Sequence, residues 1–506
     1  MPLVTSALGK PWVRRALVVA AVLLAIAATS VRGHHTGQVA HPAQPAPPAA
    51  APPAPTDPEP PAAAASPAFA TVSKLVNDAV AAGRLPGAVV GVGHGGRVVF
   101  HQAYGLRTLA GDPGLDGSPA PAEPMTEDTV FDMASLTKSL ATATAVMQLY
   151  EQGKVGFDDP VQKYLPDFNT ANDPQRAMVT VRMLLTNTSG EGIDVSLADP
   201  WGLDGPDKPE GIRRALGMPL QSGPGETFRY SDINYMLLGA LLEKVSGESE
   251  DVFVQRNVFG PLGMNDTRYL PAAKACGPHT TRGAAIAWAP AGTQAVACPA
   301  DGWSTAVLPR VAPTAIDEQS SATPADNPDF GYLLRGTVHD PTARRMGGVA
   351  GNAGVFSTAH DVGVYAQALL DRLADRPSRF PLRRATVEMM TTPQQPGHTP
   401  QQVGAANVAA RRAAAPHYPS IEGQDLFGFG WDIDTAYSRP RGTVFPVGSF
   451  GATGFTGTTL WIDPGSDTYV VLLSNSILVR GSPPISDLRG EVATAAARAL
   501  GLRCCG

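Results

Sequence analysis

Apolar residues recur at helical spacing over residues 70–82, with Val72, Leu75, Val76 and Val80 on one side, and this spacing predicts a helix. The pattern then shifts to two short apolar runs, 88–92 and 97–100, separated by Gly93-His94-Gly95-Gly96. Two such runs around a glycine cluster predict a β-hairpin, a stronger reading of the glycines than a phosphate loop. Helical period returns over 135–152 and stops at Gly153, and a shorter stretch follows at 180–185. Residues 231–245 predict a further helix, with Ser231 as N-cap and Gly247 just past its end. Two more helices are expected at 361–372 and 487–500, and strands at 427–431, 457–463 and 468–474. Strands near both ends and helices between them predict an α/β (α+β) fold, one sheet drawn from both ends of the chain around a mostly helical middle. Residues from about 271 to 327 follow neither period and read as an irregular insertion.

The first seventy residues have a different texture. Arg14 and Arg15 precede an apolar run over 16–31, the layout of a secretory signal or an uncleaved membrane anchor. Ala27, Ala28 and Ser30 suit cleavage, and the run is a little short of the about 20 apolar residues of a spanning helix. No cysteine follows it to carry a lipid. Residues 33–69 are rich in Pro and Ala and cannot pack a core, so they read as a semi-rigid spacer. The expected organisation is therefore a signal or anchor at 1–32, a linker at 33–69 and a folded domain at 70–503. That places the domain outside the cytoplasm, secreted or held at the cell envelope.

Composition narrows the function classes. The 506 residues are 43 % hydrophobic and 17 % charged, with a net charge of −6 and no basic block in the body, which argues against nucleic-acid binding. The ten histidines lack ligand spacing and neither CxxC nor HExxH occurs, so no metal and no cofactor is expected. Four cysteines are too few to staple a fold of this size. Cys276 and Cys298 flank part of the insertion, and export predicts a disulfide between them. Cys504 and Cys505, adjacent at the end of the chain, are expected to be frayed.

Three short motifs carry candidate chemistry. Ser135-Leu136-Thr137-Lys138 puts a hydroxyl and an amine three residues apart at a predicted helix start, on one face. A serine needs a base to become a nucleophile, and a lysine serves only if burial or nearby positive charge lowers its pKa. Tyr230-Ser231-Asp232 offers a phenol that can pass a proton to a leaving group, against the plainer reading of a core tyrosine. Phe450-Gly-Ala-Thr-Gly-Phe455 has small residues, Ala452, Thr453 and Gly454, that let a ligand approach a strand, against the plainer reading of a glycine-rich edge.

In this order the motifs resemble those of the penicillin-recognising serine hydrolases, which include class C β-lactamases, D-Ala-D-Ala carboxypeptidases and related esterases. The resemblance runs from about Phe69 to Leu500 and extends to the stretches 184–190, 261–267, 336–341 and 347–358. It implies an antiparallel sheet flanked by helices. It implies Ser135 as nucleophile, Lys138 as its base and Tyr230 as a second acid/base group. Asp232, where many relatives have Asn, would contact Lys138 or the substrate, and the N–H groups of Ser135 and Phe455 would form the oxyanion hole. The chain departs from the pattern at Ala452, where Lys or His is usual, and at Asn187 and Asn352, where many relatives have His. An alanine cannot hold a substrate carboxylate, so short neutral esters are expected to be better substrates than penicillins or D-Ala-D-Ala peptides. The resulting expectation is an exported serine hydrolase acting through an acyl-enzyme on esters or amides, possible cell-wall peptides among them. The alternative is a non-catalytic or weakly active penicillin-binding-like envelope module.

Overall fold

In the computed structural model, the described residues are 67–503, apart from 290–294, 319–326, 398–400, 402–403, 406–407 and 409–424. The signal or anchor, most of the linker and the terminal cysteines therefore lie outside them. The described residues belong to one compact unit. Phe69, given to the linker by the sequence, is buried and stacks on Phe100, with ring centroids 4.8 Å apart.

Two apolar faces decide the architecture. The main sheet has eight strands: β1 (Gly87–His94), β2 (Arg97–Thr108), β3 (Glu123–Pro124), β4 (Leu426–Phe427), β5 (Asp432–Asp434), β6 (Phe450–Thr453), β7 (Thr459–Asp463) and β8 (Thr468–Ser474). Their spatial order is β4-β5-β6-β7-β8-β1-β2-β3, and each recorded neighbour pairing is antiparallel. The sheet is thus drawn from both ends of the chain, as the pattern predicted. Side chains alternate across a strand. Val90, Val92, Val470 and Leu472 point to one face, where α1 (Ala70–Ala81) and the last helix cover them with Val72, Val76, Leu488 and Val492. Val89, Val471 and Leu473 point to the other, into a larger core shared with the helical middle of the chain. Burial on both faces explains why these strands are almost continuously apolar.

The turn between β1 and β2 is tighter than the sequence suggested. β1 continues through Gly93 and His94, and only Gly95 and Gly96 turn, with φ of 60° and 81°, the positive pair that two-residue hairpins favour. The strand expected at 427–431 is displaced. Gly428 donates its N–H to the Trp431 carbonyl and Gly430 has φ 85°, so the chain turns inside this apolar run and resumes as β5. Helix α2 (Thr144–Glu151), helix α3 (Asp232–Ser246), helix α4 (Ala359–Leu373) and helix α5 (Ser486–Ala499) match the remaining periodic stretches. Ser231 caps α3, accepting the Asn234 N–H at 3.2 Å, and Gly247 ends it with φ 77°.

Among its described residues the insertion contains only two- to four-residue strands and 3-10 turns. Cys276 and Cys298 are joined in it as a disulfide. Arg344 ties it to the body: buried at 2 % exposure, it pairs with Asp317 at 2.9 Å and donates to the His339 carbonyl at 3.1 Å. Closing a loop of this size stabilises by about 2–4 kcal/mol. Non-reducing peptide mapping of protein purified without reductant should recover Cys276 and Cys298 in one linked fragment. Replacing both by Ser should lower the thermal midpoint and expose residues 271–304 to protease first; free thiols in the wild type would contradict the pairing.

Candidate active site

Ser135 lies in a turn between the short strand Phe131–Asp132 and the helical segment that follows. Ala134 takes φ 46°, a region that non-glycine residues seldom occupy. Asp132 holds the turn, its Oδ1 accepting the Ala134 N–H at 2.9 Å and its Oδ2 the His339 N–H at 2.7 Å. The helix then opens with a π-helical stretch, Lys138–Ala143, before α2. Such widened turns concentrate at functional sites, and this one begins at the residue that carries the amine.

Lys138 is 4 % exposed. Its Nζ donates to Ser135 Oγ at 2.9 Å and to the Asn352 carbonyl at 3.0 Å, and pairs with Asp232 Oδ1 at 2.6 Å. An ammonium has three hydrogens, and here each has an acceptor. Burial pushes the Lys138 amine down, but Asp232 and Tyr230 outweigh it and hold it above its ordinary value. The lowered pKa that the sequence reading required of a base is thus not met in the resting site. Lys138 rests as an ammonium, and it can take the Ser135 proton only after yielding one, with Asp232 the carboxylate in contact.

Tyr230 lies over this pair, its ring centroid 4.9 Å from Lys138 Nζ and its phenol bonded to Lys138 and Ser135. Burial, partly offset by Lys138, pushes the phenol up to about 12, so at neutral pH it is a proton donor. Asn187 does not line the cavity. It is buried in the left-handed region, φ 57°, and its Oδ1 accepts from the Ser231 N–H at 3.3 Å and Asn234 Nδ2 at 3.1 Å. It braces the turn that presents Tyr230, so a proton carrier was not lost from the cavity at this position. Asn352 contributes its backbone to Lys138, while its Nδ2 donates to Asp340 Oδ1 at 3.3 Å.

The third motif is fastened to the turn that carries Ser135. Thr456 Oγ1 donates to the Asp132 carbonyl at 2.7 Å and Thr458 Oγ1 to the Met133 carbonyl at 3.0 Å. A Cβ on Gly454 would stand 2.4 Å from the Met133 carbonyl oxygen, so only glycine fits this approach. Ala452 is buried in β6, and Phe455, 72 % exposed, stacks on His339 at the rim with centroids 5.8 Å apart.

Ser135, Lys138, Tyr230, Asp232, Ala452, Thr453, Gly454 and Phe455 all line one cavity of about 580 Å³. Further titratable residues line it, among them Asp432, Tyr437 and Arg489, which the sequence did not single out, and His339 and Asp340 from the stretch 336–341. His339 is pushed down to about 4 by burial and then by Arg344, which leaves a neutral imidazole. Asp194, Asp232 and Asp340 bring carboxylate oxygens within 4.8 Å of one another, the one such group among the described residues with metal-ligand geometry. The Lys138 ammonium already sits against one of them. Burial first, then neighbouring carboxylate charge, pushes Asp340 up and Asp194 up to about 8.

Comparison with known proteins agrees with this geometry. The Beta-lactamase family model matches residues 72–478. The chain is 28 % identical over 391 residues to an Escherichia coli K12 protein named "Putative D-alanyl-D-alanine carboxypeptidase", covering 75 % of this chain and 76 % of that one. It is 27 % identical over 413 residues, 80 % of each chain, to the N-acetylmuramyl-L-alanine amidase of Bacillus subtilis strain 168. The octameric penicillin-binding protein homologue from Pyrococcus abyssi shares the fold, with a TM-score of 0.55, 22 % identity and coverage of 86 % of this chain and 78 % of that one.

Two outcomes are expected at this site. Ser135→Ala should abolish the mass increase that an activated ester leaves on the protein, and Lys138→Ala should lower turnover by about 10²–10⁴. Asp232→Asn removes a charge that holds the Lys138 amine up. The alkaline rise of the pH–rate profile, which reports loss of the ammonium proton, should then move to lower pH by about one unit or more. A profile that does not move would show that Asp232 does not govern Lys138.

Proposed function

The chain belongs to the Beta-lactamase family of serine hydrolases, and from that we propose an exported enzyme that forms an acyl-enzyme on Ser135 from ester and amide substrates, with esters lacking a carboxylate turned over better than β-lactams. The observation that carries the chemistry is the Ser135 Oγ to Lys138 Nζ contact of 2.9 Å, with Tyr230 bonded to both. The steps follow from the proton positions. Lys138 passes a proton to Asp232 and accepts that of Ser135 as Oγ attacks the carbonyl carbon. The Ser135 and Phe455 N–H groups receive the developing oxyanion. The Tyr230 phenol protonates the leaving group, and water later releases the acyl group from Ser135.

The ester preference rests on Ala452, which brings neither charge nor donor to the strand beside the nucleophile. Export is supported by Arg14, Arg15 and the apolar run after them, and by the Cys276–Cys298 disulfide. Among the described residues no helix is long and apolar enough to cross a membrane.

A second reading, hydrolysis of carboxylate-ended cell-wall peptides, is favoured by Arg489. Its Nη2 donates to the Gly454 carbonyl at 2.7 Å, and it has no acidic partner among the described residues. A guanidinium there can receive a carboxylate that Ala452 cannot hold. The measurement is kcat/KM for a neutral acyl ester, a penicillin and a D-Ala-D-Ala peptide, in wild type and Ala452→His. The ester should lead in the wild type by about tenfold or more, and the added histidine should narrow the gap. A wild type that prefers the peptide, with Arg489→Gln erasing that preference, would establish the second reading instead.

A further inference from the structure

One buried carboxyl group in the cavity has no part in the chemistry above. Asp432, on β5, is 5 % exposed and lines the cavity that holds Ser135. Its Oδ1 accepts from Thr435 Oγ1 at 2.6 Å, and among the described residues no other hydrogen bond reaches its side chain. None of the cations that line the cavity pairs with Asp432. Lys138 pairs with Asp232, Arg439 with Asp487 at 3.0 Å, and Arg489 donates to the Gly454 carbonyl. A carboxylate withdrawn from water with no cation beside it is costly, and a partner entering the cavity would offset that cost.

Its surroundings suit a particular partner. Tyr437, Tyr230 and Phe427 line the same cavity, and the rings of Tyr230 and Tyr437 stand 5.2 Å apart. Burial, and then the Asp432 charge, push the Tyr437 phenol up, and Asp432 acts on Tyr235 as well, so it lies close to this aromatic group. A carboxylate beside aromatic faces is the recognition chemistry of an alkylammonium. Resting on the hydrolase reading above, we infer that Asp432 and Tyr437 form a subsite for a primary ammonium group on the substrate, so that acyl esters or peptides bearing a free amine are preferred over their uncharged isosteres.

The ionisation of Asp432 gives a second readout. Burial pushes its carboxyl up to about 7. Asp432 acts on Tyr235 and Tyr437, and the other titratable or charged groups lining the cavity are Lys138, Tyr230, Asp232, His339, Asp340, Arg439 and Arg489. Lys138 and the three phenols lie above their ordinary values, which puts their titration above this range. A carboxylate binds an ammonium and a neutral carboxyl does so poorly, so the preference should fade as pH drops through about 7.

The experiment compares p-nitrophenyl esters of ω-amino acids with isosteric alkyl esters over a series of chain lengths. At one chain length or more the wild type should favour the ammonium ester by about tenfold in kcat/KM above pH 7, and less at pH 5.5. Asp432→Asn should bring the ratio to unity, and Asp432→Glu should restore part of it. Wild type that hydrolyses both esters equally at every length, or a preference that survives Asp432→Asn, overturns the subsite and leaves the hydrolase reading standing. Failure to hydrolyse either ester, with no acyl group on Ser135, overturns both. The wild-type ratio and its pH course decide the matter even where a variant does not fold.

Discussion

The site depends on keeping one ammonium in a nearly dry interior. An isolated charge there would cost several kcal/mol, and Lys138 is retained only because three acceptors meet it. They come from different parts of the chain: Ser135 from its own turn, Asp232 from the start of α3, and the Asn352 carbonyl from the loop before α4. The same contact that steadies the charge also orients the Ser135 hydroxyl. It also joins the helical middle to the strand-bearing part of the molecule, because the turn at Ser135 is bonded through Asp132 and Met133 to Thr456 and Thr458. Loss of any one acceptor would leave a buried donor unmet and loosen the others.

This arrangement makes the resting enzyme a poised acid rather than a poised base. The Lys138 ammonium and the neutral Tyr230 phenol both lean toward holding protons, and Asp194 and Asp340, pushed up by burial, add to that tendency. Under the proposed mechanism, attack by Ser135 would begin with redistribution of a proton inside the cluster. A substrate that excludes water from the cavity strengthens each of these interactions.

Much of this was legible in the sequence because it is local. The three-residue spacing of Ser135 and Lys138 and the cap at Ser231 follow from chain geometry alone. What stayed hidden is set by tertiary placement. Arg489 is one charged residue in the first turn of an amphipathic helix, and nothing in its neighbourhood says that it reaches the Gly454 carbonyl. Asp432 follows an apolar run whose internal turn at Gly430 is masked by the burial of Phe429 and Trp431. Asn187 read as a missing proton carrier, whereas its backbone conformation and its two acceptor bonds give it a bracing task. The charge balance at Lys138 was likewise out of reach, since burial and ion pairing act in opposite directions and only distances decide between them.

The central sheet pairing has a consequence for how the molecule comes into being. β1 lies beside β8, with Val90 opposite Leu472, so the middle of the sheet is completed by residues far apart in the sequence. A chain emerging in sequence can gather its helical middle early, but β1 must wait for almost the whole polypeptide before it finds its neighbour. Until then one edge of the β1–β2 hairpin is open and apolar, a template for wrong partners. Passage of an unfolded chain across a membrane, followed by collapse on the far side, would present both ends together and shorten that exposure. Loss of the last forty residues, by contrast, would leave the hairpin permanently unpaired.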